Sequence, residues 1–201
     1  MTQSNHYKAT LVLAALVILG IGAFALNWYF RQHLSGQRAD DGIREEALVG
    51  TLRPGFSLAD RFGLRHNISE WDGRVVALNF WASWCGPCRR EIPMFIDLQQ
   101  RYGSRGLQFV GIAVDRDPEV AAFLGRLRIE FNYPLLIGTD EAISVAQAYG
   151  NDLGILPYTV LIDRTGHIAH LQFGEFERAD AERLIADLLS HQATAGTAPD
   201  P

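Results

Sequence analysis

The sequence predicts an α/β fold with a central mixed sheet flanked by helices. Three observations carry this. First, apolar β-prone runs alternate with amphipathic segments from residue 75 onward. Second, the run from Val75 to Trp81 gives way directly to Trp84-Cys85-Gly86-Pro87-Cys88, and apolar residues at helical spacing follow (Ile92, Phe95, Ile96, Leu98). Third, two late strand-like runs flank Asp163-Arg164-Thr165-Gly166, a hairpin turn by composition. The order gives a parallel core with an antiparallel edge.

Each element follows from local pattern. Val75 to Trp81 is a strand. Cys88 to Tyr102 is a helix, and Pro93 within it predicts a kink. Leu107 to Val114 is a buried strand. Pro118 to Ile129 is a helix with Pro118 near its first turn and Asp117 as its cap, although Asp115 and Asp117 could also ring an active-site edge. Pro134 to Ile137 is a short strand and Glu141 to Tyr149 a helix. Tyr158 to Ile162 and His167 to Phe173 form the hairpin, and Arg178 to Ser190 is an amphipathic last helix. About 140 residues, 53–191, are a normal size for one domain with its own core.

The N-terminal part is organised differently. Residues 1–8 are a polar tail. Residues 9–26 are apolar except for Thr10, and Asn27-Trp28-Tyr29-Phe30 suits a membrane interface. About 18 apolar residues suffice to span a bilayer, so residues 9–30 are expected to form one transmembrane anchor. Ala23-Phe24-Ala25 also resembles a cleavage site, which keeps a removed signal peptide as an alternative; a partner-helix interface needs more assumptions. Residues 31–52 are charged and read as a linker, and 192–201 as a frayed tail. The basic residues Arg31, Arg38 and Arg44 outnumber Lys8. Counted strictly, they favour a cytoplasmic catalytic side, but long domains translocate largely regardless of such charge.

Net charge is −5, which argues against nucleic acid as a partner. No glycines have phosphate-loop spacing. His66, His167 and His170 are scattered and read as surface or turn residues. No metal or cofactor is expected.

The chemistry concentrates in the only two cysteines of the chain. A structural zinc site needs four ligands, whereas two thiols three positions apart can close and reopen as a disulfide. Cys85 should lie at a helix start, where unpaired N–H groups and the macrodipole favour a thiolate. Gly86 permits close approach of another backbone, and Pro87 suits a first helical turn. Trp84 should flank an exposed Cys85 sulfur and offer a flat apolar surface. Cys88, one turn in, should be shielded and act as the resolving thiol. A passive disulfide staple is the bland alternative, yet so short a loop constrains the unfolded chain little. Glu91, three residues after Cys88, shares its helix face. It could exchange a proton with the buried thiol, or be a solvated first-turn carboxylate.

The stretch from Phe80 to Pro93 resembles the thioredoxin superfamily, and more closely the membrane-anchored TlpA/ResA/DsbE-like branch, over roughly residues 53–190. Pro54-Gly55-Phe56-Ser57-Leu58 is similar to that branch's opening strand. Leu156-Pro157-Tyr158-Thr159-Val160-Leu161-Ile162-Asp163 is similar to its cis-proline segment. The resemblance implies a thioredoxin-like fold with an N-terminal extension and a βα insertion over Asp115 to Gly138. It also implies a cis bond before Pro157, with Leu156 offering its backbone to an extended substrate. Thioredoxin's buried aspartate is replaced by Asn79, so proton handling must differ, and the branch commonly places a glutamate at the position of Glu91.

The function implied is a thiol–disulfide oxidoreductase reducing protein cysteine pairs outside the cytoplasmic membrane, for example in cytochrome c maturation, and recharged by a membrane electron donor. Direction cannot be read from sequence, since it depends on thiolate stability. Two alternatives remain. One is a peroxiredoxin-like peroxide reductase, disfavoured because Ala82 stands where such proteins place Thr or Ser. The other is a membrane-bound copper-binding or docking module, for which no His or Met cluster accompanies the cysteines.

Overall fold

The computed structural model describes residues 18–29, 47–127 and 130–190. The predicted tails (1–8 and 192–201), most of the linker, part of the anchor and the end of the predicted 118–129 helix lie outside them. The chain divides into two units, residues 1–46 and 47–201. In the first, residues 18–29 are helical, with Ile18, Leu19, Phe24 and Trp28 all exposed. Among the described residues, no helix is long and apolar enough to cross a membrane.

The second unit is built on a five-stranded mixed sheet. In chain order, β1 (Ser57–Ala59) and β2 (Arg65–Asn67) form a small antiparallel pair ahead of the main sheet. Then come β3 (Val75–Trp81), α1 (Gly86–Tyr102), β4 (Leu107–Val114), α2 (Asp117–Leu127), β5 (Leu135–Gly138), α3 (Asp140–Ala148), β6 (Tyr158–Ile162), β7 (Ile168–Phe173) and α4 (Arg178–Ser190). The main sheet runs β5-β4-β3-β6-β7. β3 pairs parallel to β4 and antiparallel to β6, and β7 is the antiparallel edge.

The central strand explains the two layers. All seven β3 residues are buried, and alternate side chains serve opposite faces. Leu78 and Phe80 join Ile112, Val145 and Tyr149 on one face. Val75 and Ala77 join Phe95, Leu98, Phe109 and Ile185 on the other, under α1 and α4. A strand buried on both faces carries no polar alternation, which is why Val75 to Trp81 reads as a continuous apolar run.

The expected α/β architecture is present, with shifts at the ends of elements. α1 begins at Gly86 rather than Cys88, because Cys85 is its cap; it continues through Pro93, which is exposed. α2 begins at Asp117, so Asp117 lies inside the first turn and is not the cap. The carbonyl of Arg116 accepts the Glu119 and Val120 N–H groups instead. α2 and β5 lie within the range expected for the βα insertion, Asp115 to Gly138. The N-terminal extension contains β1 near the expected opening strand. It also holds β2 and a 3-10 turn, Ile68–Trp71, which no apolar run announces.

Candidate active site

Cys85 and Cys88 meet where β3 hands over to α1. They form a disulfide with Cα atoms 5.3 Å apart. Cys85 has extended backbone at the N-cap of α1, and its Sγ accepts the Cys88 N–H at 3.3 Å. Gly86 and Pro87 fill the first two helical positions, where a missing N–H costs nothing. A negative sulfur here would face the unpaired N–H groups of the first turn and the positive end of the helix.

The two sulfurs are unequally placed. Cys88 is fully buried, while Cys85 is 5% exposed. The expectation of an openly exposed Cys85 sulfur is thus corrected: in the disulfide form only its edge reaches solvent. Trp84, by contrast, is 69% exposed. Together with Leu156, Ile143 and Leu153 it lines a groove of about 290 Å³.

The Leu156–Pro157 peptide bond is cis, and Pro157 is buried. Leu156 packs against the cluster that contains both cysteines. The preceding loop is shaped by Asn151, which is buried. Its amide donates to the Ile155 carbonyl at 2.8 Å and its oxygen accepts the Ile155 N–H at 2.9 Å, bracketing the approach to the cis bond.

Glu91 is not a solvated first-turn residue. It is 2% exposed. Its Oε1 accepts from Asn79 Nδ2 at 2.8 Å, and its Oε2 accepts from the Phe176 backbone N–H at 3.1 Å. The same Asn79 amide donates to Thr159 Oγ1, its neighbour across β3 and β6. Burial pushes the Glu91 carboxyl up to about 7, against the lowering effect of those two donors, and the charge of Glu175 adds to the rise. A carboxyl that titrates near neutrality can both take and return a proton.

A second acid, Asp115, holds the loop that leads to Trp84. It follows β4 directly and is 8% exposed. Its Oδ2 accepts the Ser83 N–H at 2.9 Å and the Ser83 hydroxyl at 2.6 Å. This latch pins the loop between β3 and Trp84 to the next strand. The sequence offered only a carboxylate at a strand end; its partner depends on the β3–β4 register, in which Trp81 lies beside Ala113. Of the histidines singled out in the sequence, His66 bonds Glu70 and His167 contacts Thr165 in the hairpin turn, while the Nε2 of His170 is buried. Among the described residues, no group of three or more His, Cys, Asp or Glu side chains could hold a metal ion.

A mixed sheet with a Cys-x-x-Cys at the end of its central strand and a cis-proline packed near it defines a thioredoxin-fold dithiol protein. Residues 48–185 match the Redoxin family model, and the chain belongs to that family. It is 34% identical over 140 residues to the thiol-disulfide oxidoreductase ResA of Geobacillus kaustophilus (strain HTA426), covering 70% of this chain and 78% of that protein. It is 31% identical over 147 residues to ResA of Bacillus subtilis (strain 168), covering 73% and 77%. Its fold matches the crystal structure of a thiol:disulfide interchange protein, thioredoxin family protein, from Chlorobium tepidum TLS. That match has a TM-score of 0.61 at 32% identity and covers 70% of this chain and 97% of that one. The chain is a ResA/DsbE-like thiol–disulfide oxidoreductase of the thioredoxin superfamily.

Proposed function

We propose that the chain reduces protein disulfides outside the bacterial cytoplasmic membrane, tethered by its N-terminal helix and recharged by a membrane electron donor. Oxidised cysteine pairs of apocytochrome c before haem attachment are a fitting substrate. The observation that carries the reading is the unequal pair: one sulfur at the helix tip accepts a backbone N–H, and the other is sealed behind it. Reduced Cys85, as thiolate, attacks one sulfur of the substrate disulfide. A Cys85–substrate bond forms and the substrate's other sulfur leaves as thiolate, to be protonated. Cys88 then loses its proton, with Glu91 the base, and attacks Cys85. This releases the second substrate thiol and restores the Cys85–Cys88 disulfide. Two electrons have passed to the substrate, and a donor dithiol returns them.

Trp84 and the apolar groove beside it supply a surface for the chain around the target cysteine, with Leu156 in its lining and the cis bond to Pro157 following directly. The exposed apolar side chains of residues 18–29 support the tether.

The test is a trapping experiment with Cys88→Ala in the full-length protein. The variant should accumulate mixed disulfides through Cys85 with partners outside the cytoplasm, and Cys85→Ser should accumulate none. Adducts through Cys88 only, in a Cys85 variant, would reverse the roles. Peroxide consumption without any disulfide substrate, or a reporter fused at the C-terminus that is active only in the cytoplasm, would overturn the proposal.

A further inference from the structure

The face of the sheet that carries Glu91 also holds polar atoms that the dithiol cycle leaves unused. Asn79, which donates to Glu91, lies directly beside Gly111 in the β3–β4 register. Neighbouring strands are about 4.8 Å apart, so whatever covers Gly111 adjoins the carboxyl. A Cβ built on Gly111 would come within 3.2 Å of Leu135 Cδ1, 3.4 Å of Tyr133 Cε2 and 3.5 Å of Trp81 Nε1. The absence of a side chain there lets the Leu135 methyl, the phenol ring and the indole edge converge over β4. The Tyr133 hydroxyl and the Trp81 N–H are both buried, and neither has a hydrogen-bond partner among the described residues.

Buried polar groups without partners are rare, because each forgoes its hydration. Two orphaned donors therefore come from side chains that border Gly111, the neighbour of Asn79, and Asn79 holds a carboxylate that uses one lone pair on each oxygen and has others to spare. Neither donor bonds the carboxyl directly, and a buried water takes two to four polar partners of this kind. The mutual field agrees: burial raises the Tyr133 phenol, and the Glu91 charge raises it further.

We infer that Tyr133 is a positioning residue for Glu91: with the Trp81 N–H it holds a buried water whose hydrogen bond favours the ionised carboxylate. Tyr133 comes from the segment just before β5, in the βα insertion, so the insertion reaches the proton-handling group of the dithiol. The other titratable or charged groups around Glu91 are Cys88 on its own helix, Glu175 (paired with Arg90) beyond β7, and His170, whose ring packs on Phe176. The inference rests on Glu91 being the proton acceptor proposed above only for its catalytic meaning; the coupling itself is a property of the fold.

Infrared titration of the full-length oxidised protein tests it. The protonated-carboxyl band that Glu91→Gln removes is followed against pH; being a carboxyl band, it excludes His170. Tyr133→Phe keeps the ring and deletes the hydroxyl. It should move the titration midpoint upward by about one to two pH units, the size of one hydrogen bond to a charged group. Trp81→Phe, which removes the other donor, should move it the same way. An unmoved midpoint in either folded variant, or a downward move, overturns the inference. Failure of the disulfide-reductase reading would appear instead as absent turnover with this titration intact.

Discussion

Two acid-bearing regions of the domain each raise the pKa of one group, by opposite routes. At the dithiol, Glu91 is enclosed on the sheet face, with only neutral amide donors on its oxygens, and burial drives its carboxyl up to about 7. In the N-terminal extension, His66 sits between Glu70 and Asp60 near the surface. Its hydrogen bond to Glu70 lifts it above the usual imidazole value, more than burial lowers it. One group is shifted because the fold withholds water and counter-charge, the other because the fold supplies counter-charge. The first arrangement costs stability and keeps a proton available beside a thiol; the second adds a little stability and performs no chemistry. A perturbed titration alone does not mark an active site, and its cause must be known.

The largest expected effect tests the costly side of this contrast. The folded pKa of Glu91 lies above its ordinary value, so the native state holds a proton that the unfolded chain has released. Stability therefore falls as pH rises from about 4.5 to about 7 and is flat beyond, a loss of roughly 3 kcal/mol for a shift of this size. Denaturant titrations across that window should show the slope in the wild type and its reduction by about that amount in Glu91→Gln, with the smaller His66 part remaining. In stopped-flow reduction of a model protein disulfide, the same variant should slow release of the mixed disulfide about 100-fold, the scale of a lost general base. A variant that keeps the slope would mean that burial does not set this carboxyl apart.

These contrasts were unequally legible in the sequence. Periodicity announced the central strand, the helix carrying Cys88 and Glu91, and the closing hairpin, since each buries a regular stripe or run. The i, i+3 spacing placed Glu91 on the face of Cys88, but could not show that it is enclosed. Its donors stand 12 residues earlier, at Asn79, and 85 later, at Phe176, and only strand order brings them together. Asn151 was invisible for a related reason: a lone asparagine after a helix gives no sign that it brackets the residue before Leu156. β2, Arg65–Asn67, has no apolar alternation at all and owes its pairing to β1 and the capped turn that follows it.

The Ser83–Asp115 latch lies between the two extremes, a buried acid satisfied locally by a neutral partner. Ser83→Ala deletes the 2.6 Å bond and leaves the backbone N–H in place. A buried acceptor that loses one of several donors should cost about 1–2 kcal/mol in urea unfolding. Because the latch holds the loop carrying Trp84 and not the sulfurs themselves, the loss should appear mainly as a higher KM for a protein disulfide, with kcat nearly kept. A fall in kcat as large as that of Glu91→Gln would make Asp115 a participant in the chemistry and remove the distinction drawn here.

The smallest effect belongs to the surface pair; its slope against pH has the same sign as that of Glu91 and the opposite origin, a stabilisation lost and not a cost incurred as pH rises. His66 has a raised folded pKa, so its stabilisation is fully present below its unfolded value near 6.5 and disappears as pH rises through the folded one. His66→Gln should therefore lower stability at pH 5.5 by less than about 1 kcal/mol, the range of partly exposed ion pairs. At pH 9, where the ring is neutral in both states, it should change stability by no more than the loss of its stacking on Trp71, a contact of 6.2 Å between ring centroids. The pH 5.5 loss should shrink further in high salt, because the attraction works across partly solvated space. The Glu91 slope should persist in the same salt, since what sets it is exclusion of water. Denaturant curves in low and high salt at both pH values decide between them. If the His66 effect survived salt and the Glu91 slope did not, the assignment of pairing to one region and enclosure to the other would have to be exchanged.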